Sequence, residues 1–179
     1  ILHYYSAIDK RVEVYHLDSN QGQAHARNIA LLHATGEYIC MLDSDDWFSA
    51  DALEKAVSAF DVNTDCVLFD VLMEWGNRKE LYEMPEFNTL TGDEAFRLSL
   101  TWQIHGLYMV RASIHRQIPY DETCRLYSDD NTTRIHYLVS RNVRKCRGEY
   151  HYRQNPLSSM HTVSVRRFDY LRANESMKY

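Results

Sequence analysis

The apolar run Tyr38-Ile39-Cys40-Met41-Leu42 passes directly into Asp43-Ser44-Asp45-Asp46-Trp47, so three carboxylates stand at the end of a strand-length segment. A continuous apolar run of this length predicts a strand covered on both faces, and open α/β sheets take their ligands beyond the carboxyl ends of such strands. Acids clustered there repel one another unless a cation lies between them. Oxygen-only ligands suit a hard divalent ion, Mg²⁺ or Mn²⁺, which keeps some waters and shares its shell with substrate phosphates. The segment predicts a metal and diphosphate site with Asp43 and Asp45 as ligands.

Two other readings account for less. Asp43, Asp45 and Glu54 fall at positions 1, 3 and 12 of an EF-hand loop, but Trp47 stands where a ligand belongs and Phe48 where the turn needs glycine. A helix start at Ser49, running from about residue 50 to 60, explains Asp51 and Glu54 as first-turn acids. It leaves Asp43, Asp45 and Asp46 unexplained.

Around this segment, helical and strand patterns alternate. Ala26, Ile29 and Ala30 have helical spacing and Gly36 fits the C′ position after that helix. Residues 66–73 read as a strand and 76–88 as a polar loop. Thr91 and Glu94 form a capping box that opens a helix to about Leu100. Residues 106–111 read as another strand. The alternation predicts a mostly parallel α/β sheet flanked by helices. A second acidic pair, Asp129-Asp130, precedes a helical stretch through Ser140, where acids at the positive end of a helix are also expected on structural grounds alone.

Composition permits one domain with a sizeable core: 179 residues, 45% hydrophobic. No apolar run approaches the ~20 residues of a membrane span, and no signal-peptide layout opens the chain, which reads as cytoplasmic. Cys40, Cys66, Cys124 and Cys146 are scattered, indicating neither a zinc site nor a disulfide framework. The net charge of −5 is unevenly spread, with 10 basic and 22 acidic residues up to position 133 against 10 and 3 after it. The basic C-terminal quarter suits internal pairing first and peripheral contact with an anionic membrane second. Nucleic acid is not expected as a partner, because the acidic majority repels phosphate backbones.

The pattern N-x-G-x-x-x-A-R-N at residues 20–28, followed by A-T-G-E-Y-I at 34–39 and L-D-S-D-D-W at 42–47, resembles the donor-binding half of family 2 glycosyltransferases. The resemblance implies the GT-A fold, related to the Rossmann fold, and an inverting transfer from a nucleotide sugar, a UDP-sugar, to a glycan or lipid-linked acceptor. It implies that Asp43 and Asp45 hold Mn²⁺ or Mg²⁺, with His161 completing the shell. Asn20, Gly22, Arg27 and Asn28 serve the nucleotide side, Asp46 orients the donor, and Arg153 clamps the departing diphosphate. Apart from the resemblance, Trp102 and Tyr108 are aromatic candidates for a sugar platform, with core packing as the alternative for each. Asp130 matches the family's catalytic base. Its neighbour departs from the usual Glu-Asp pair, since Asp129 stands in the first place.

By the same resemblance, residues 1–88 form the donor part, 89–161 the acceptor part and 162–179 a basic helix or tail. A family member would open with a strand-helix-strand unit that this chain lacks at its start, so N-terminal truncation is expected. A nucleotidyltransferase with the same acidic site, and a non-catalytic nucleotide-sugar-binding or scaffold module, are the alternatives.

Overall fold

The computed structural model describes residues 1–123, 127–155 and 165–177. Two strands of twelve residues carry the sheet, β3 (Thr64–Trp75) and β7 (Asn142–Arg153). They pair in parallel, with register shifts after Thr64 and after Leu68. The shorter strands are β1 (Tyr38–Cys40), β2 (Trp47–Phe48), β4 (Arg78–Leu81), β5 (Thr89–Thr91) and β6 (Tyr108–Arg111). The main path runs β1-β6-β3-β7-β2, with β4 on β3 and β5 on β7.

The sheet is therefore not mostly parallel, as expected, but mostly antiparallel. Every pairing other than β3 with β7 is antiparallel. The reason lies in β6, which comes late in the chain yet lies between β1 and β3, antiparallel to both. Strands β1, β3 and β7 still run the same way, so the alternation of strand and helix predicts strand direction but not adjacency. Their carboxyl ends point to one side of the sheet.

Alternate residues of β3 feed two cores. Cys66 and Leu68 face a cluster with Leu31, Ile104, Tyr137 and Val143, while Val67, Phe69 and Val71 face one with Ala52, Ala56 and Tyr150. The period of two is the strand's own geometry. Strand β1 is less buried than its apolar run predicts, with Ile39 buried, Tyr38 and Cys40 partly so, and Leu42 47% exposed. It lies at the end of the path and, among the described residues, pairs only with β6.

The helices are α1 (Leu2–Ile8), α2 (Gln23–His33), α3 (Ala52–Ser58), α4 (Gly92–Leu100), α5 (Ala112–Gln117), α6 (Ser128–Val139) and α7 (Asp169–Ser176). The capping box at Thr91 and Glu94 is present as read. Two other terminal assignments shift. Asp51 rather than Ser49 stands at the N-cap of α3, and α2 ends at Ala34 without a left-handed Gly36. The loop read over 76–88 contains β4, joined to β3 through Gly76-Asn77, with Gly76 at φ 59 supplying the positive angle a two-residue hairpin needs.

Candidate functional site

Helix α2 places its inner stripe at Ala24, Arg27, Asn28 and Leu31, one step round from the spacing of Ala26, Ile29 and Ala30. Ala24 and Leu31 supply the burial. Two polar residues are thereby turned inward. A polar group on an inward face must find partners, and both do.

Arg27 joins the two acidic motifs. Its Nη2 donates to Asp43 Oδ1 at 2.7 Å and its Nη1 to Asp129 Oδ2 at 3.1 Å, while the guanidinium lies 5.3 Å from the Tyr120 ring centroid. Burial opposes its charge, but Tyr120, Asp129 and Asp43 outweigh that and hold its pKa above the ordinary value. Asn28 faces elsewhere. Its amide donates to the Tyr120 carbonyl and to Glu122, and its oxygen accepts from the Tyr120 N–H, so it fastens α2 to the segment before α6. Both ends of its amide are engaged in holding these segments together. Asn20 caps the turn into α2 by accepting from the Gly22 N–H at 3.0 Å, and Gly22 takes φ 96 at the helix N-cap.

The carboxyl ends of β1, β3 and β7 open onto a cleft of about 730 Å³, in which Asp43, Asp45, Asp46, Met73, Tyr152 and Arg153 meet Asp129 and Asp130 from the first turn of α6. The three acids after β1 have different fates. Asp43 Oδ1 accepts from Arg27 at 2.7 Å and from Gln23 at 3.4 Å. Asp46 accepts from the Tyr150 hydroxyl at 2.7 Å and from the Arg153 N–H at 2.8 Å. Burial raises its pKa, against the pull of those two bonds. Asp45 is exposed and has no hydrogen bond or ion pair among the described residues.

No three His, Cys, Asp or Glu side chains among the described residues converge on one point. A complete protein cage is absent there, yet a Mg²⁺-type ion is commonly held by one or two carboxylates together with substrate phosphates. Asp45 and Asp43, which line the same cleft, fit that donor set in kind. His161 lies outside the described residues.

On the opposite side, burial first and then the charge of Asp129 push the Asp130 carboxyl up to about 6, with Arg134 opposing. A carboxyl tuned toward neutrality suits proton transfer near physiological pH. Asp129 spends Oδ2 on Arg27 and accepts the Asp130 N–H through Oδ1 at 3.2 Å. Arg153 keeps its guanidinium 5.4 Å over the Trp47 ring, beside the acidic turn. Trp102 lines the cleft and stacks with Arg134, whereas Tyr108 is buried and its hydroxyl meets His136 Nδ1 at 2.6 Å. Sequence reasoning missed Tyr82, Tyr127 and Tyr170 in the lining. Only Tyr127, next to the acidic pair, carried a positional signal.

The basic C-terminal quarter is paired internally in part. Arg141 grips Asp65 at 2.6 Å, Lys145 meets Glu86 at 3.1 Å and Arg144 meets Asp61 at 3.4 Å. No helix among the described residues is long and apolar enough to cross a membrane.

Comparison with known proteins bears on the family and the fold. A model described as glycosyl transferase family 2 matches residues 1–120. The chain is similar to the putative teichuronic acid biosynthesis glycosyltransferase TuaG of Bacillus subtilis, at 51% identity over 55 residues, covering 31% of this chain and 22% of that protein. An uncharacterized glycosyltransferase of Methanocaldococcus jannaschii is 31% identical over 134 residues, covering 68% of this chain and 43% of that one. The structure of S. aureus TarS 1-349 in complex with UDP-GlcNAc superposes with a TM-score of 0.80 at 20% identity, covering 98% of this chain and 51% of the other, and the two share their fold. The chain spans about half or less of each of these proteins.

Proposed function

Because the chain belongs to glycosyl transferase family 2, we propose that its cleft is the diphosphate and acceptor side of a metal-dependent, inverting sugar transfer. The donor is a UDP-sugar and the acceptor a glycan or lipid-linked saccharide of surface polysaccharide synthesis. The description of TuaG as a teichuronic acid biosynthesis glycosyltransferase and the UDP-GlcNAc bound to TarS support the substrate classes. One observation carries the chemistry: an unpaired carboxylate, Asp45, and a carboxyl raised to about 6, Asp130, line the same cleft.

In this reading Asp45, with Asp43, holds Mn²⁺ or Mg²⁺. The ion, when bound, neutralises charge on the departing diphosphate. Asp130 takes the acceptor hydroxyl proton as that oxygen bonds to the anomeric carbon and the bond from carbon to the diphosphate oxygen breaks, the electron pair leaving with the nucleoside diphosphate. Arg27 keeps Asp129 occupied, which limits the second negative charge beside the base. Asp46, fixed by Tyr150 and the Arg153 backbone, holds the acidic turn on the end of β7. The Arg153 guanidinium stands at the same mouth of the cleft, where it can meet the diphosphate.

Calorimetric titration with UDP, with and without Mn²⁺, tests the metal assignment. Wild type should bind more tightly with Mn²⁺, and Asp45→Asn should lose that gain by roughly tenfold or more, the scale of losing one charge-assisted contact. Equal metal dependence in both proteins sinks the role of Asp45.

A further inference from the structure

A charged cluster at the carboxyl end of β3 has no part in the chemistry proposed above. Glu74 is only 5% exposed, yet its carboxylate holds Lys79 of β4 at 2.8 Å and the Nδ1 of His151 in β7 at 2.7 Å. His151 is also buried, and its Nε2 stands 3.4 Å from Glu149. Both ring nitrogens thus face carboxylates. Buried ion pairs add little net stability, because the cost of taking charge out of water offsets their attraction. What this one does fix is the setting of a ring.

That ring meets the acidic turn. Trp47 stands opposite His151 in the register of β2 on β7, and its indole stacks on the imidazole with centroids 5.1 Å apart and planes 11° from parallel. Arg153, two residues further along β7, lies 5.4 Å from the same indole. Trp47 is 37% exposed and packs in neither of the two cores, so side chains of β7 rather than apolar burial hold it in place. Its chain neighbour is Asp46, whose N–H closes the turn onto the Asp43 carbonyl at 3.1 Å. Asp45, inside that turn, has no side-chain bond of its own among the described residues. Its setting therefore depends on the backbone on either side of it.

We propose that His151, gripped by Glu74, is a positioning residue: it holds the Trp47 indole in plane and through it steadies the turn that presents Asp45 to the cleft. The use of this relay in metal binding rests on the reading of Asp45 as a ligand; the relay itself does not. Variants of the full chain test it. Glu74→Leu removes the grip together with the buried charge, so the thermal midpoint should hold. Glu74→Gln keeps an oxygen that accepts from His151 and should behave as wild type. Without metal, amide exchange at Asp46 should quicken on the order of tenfold in Glu74→Leu and stay within about twofold in Glu74→Gln, as local opening of the turn requires. In calorimetry with UDP, Glu74→Leu and Trp47→Ala should each lose about threefold or more of the gain that Mn²⁺ brings, and the double variant no more than the larger single loss, because the two groups act in series. Trp47→Ala alters a partly exposed ring and carries the same exchange and titration measurements if Glu74→Leu proves unstable. Unchanged Asp46 exchange in both single variants, or losses that add in the double variant, would overturn the relay. Asp46 exchange governed by Glu74, in a chain whose affinity for UDP ignores Mn²⁺, would instead refute the metal reading and leave the relay standing.

Discussion

On the proposed reading of Asp130 as the base, a single carboxyl separates a catalytic cleft from one that only binds, and its titration makes that difference measurable. With its pKa raised to about 6, it is ionised and able to accept a proton only above that pH, so transfer should climb through about pH 6 and then level off. Asp130→Asn should keep nucleotide binding and lower kcat by roughly 10²- to 10⁴-fold. Wild-type turnover in that variant would move the base elsewhere. The same shift has a sign for stability. The folded-state pKa lies above the unfolded value, so this group's favourable contribution is fully present below about pH 4 and is lost as pH rises through about 6. Replacing the acid with a neutral isostere should therefore raise the unfolding free energy at pH 8 by roughly 1–2 kcal/mol after discounting for partial exposure, with the difference fading by pH 4. Thermal unfolding across that range reads it directly. The acids themselves were legible in the sequence because carboxylates at the end of an apolar run have few structural uses. The partners of Asp43 and Asp46 were not legible, because Arg27, Tyr150 and Arg153 reach them only through the fold.

Elements were legible where chemistry is local. The capping box of α4 depends on residues three apart, and the core strand β3 on its own composition. The sheet's antiparallel character was hidden, because no local pattern announces that β6 will insert between two earlier strands. Alanines satisfy helical spacing on either face of α2, so the spacing of Ala26, Ile29 and Ala30 did not tell which face carries the half-buried pair Arg27 and Asn28 inward. One junction between elements makes a sharp prediction. A Cβ on Gly92 would sit 2.2 Å from the Ser140 carbonyl oxygen and 2.5 Å from that of Tyr137, so α4 begins against the end of α6 with no room for a methyl group. Gly92→Ala should destabilise the protein by about 2–3 kcal/mol or more, since the opposing atoms are backbone. Gly106→Ala meets only the Thr133 side chain, at 3.3 Å or beyond, and should cost under about 1 kcal/mol because a side chain can yield. Chemical denaturation of both variants tests the contrast, and equal losses would contradict it.

At the scale of the whole molecule, cohesion is uneven. The parallel pair of β3 and β7 binds both cores, whereas α1 has no buried residue and exposes Leu2, Tyr4, Tyr5 and Ile8. A helix of seven residues without tertiary burial is marginal in water. Amide exchange should therefore be fast throughout α1 and slowest in β3, and protection of α1 equal to that of β3 would refute this distribution. Those exposed side chains, with Leu32 at 79% exposure and the outer edge of β1, also favour association, which sedimentation velocity over a concentration series should detect. The long β3 and β7 pairing has a further consequence, in time rather than in space. Arg27 reaches a partner 102 residues away and Asp46 partners more than 100 residues away. Contacts of such separation form late in folding. During synthesis, a ribosome that has completed residues 1–120 has produced the whole stretch matched by the family model but neither Asp129 nor Tyr150. The acidic turn then has no β7 to rest on. The bonds that fix Asp46 should therefore form only once β7 has left the ribosome.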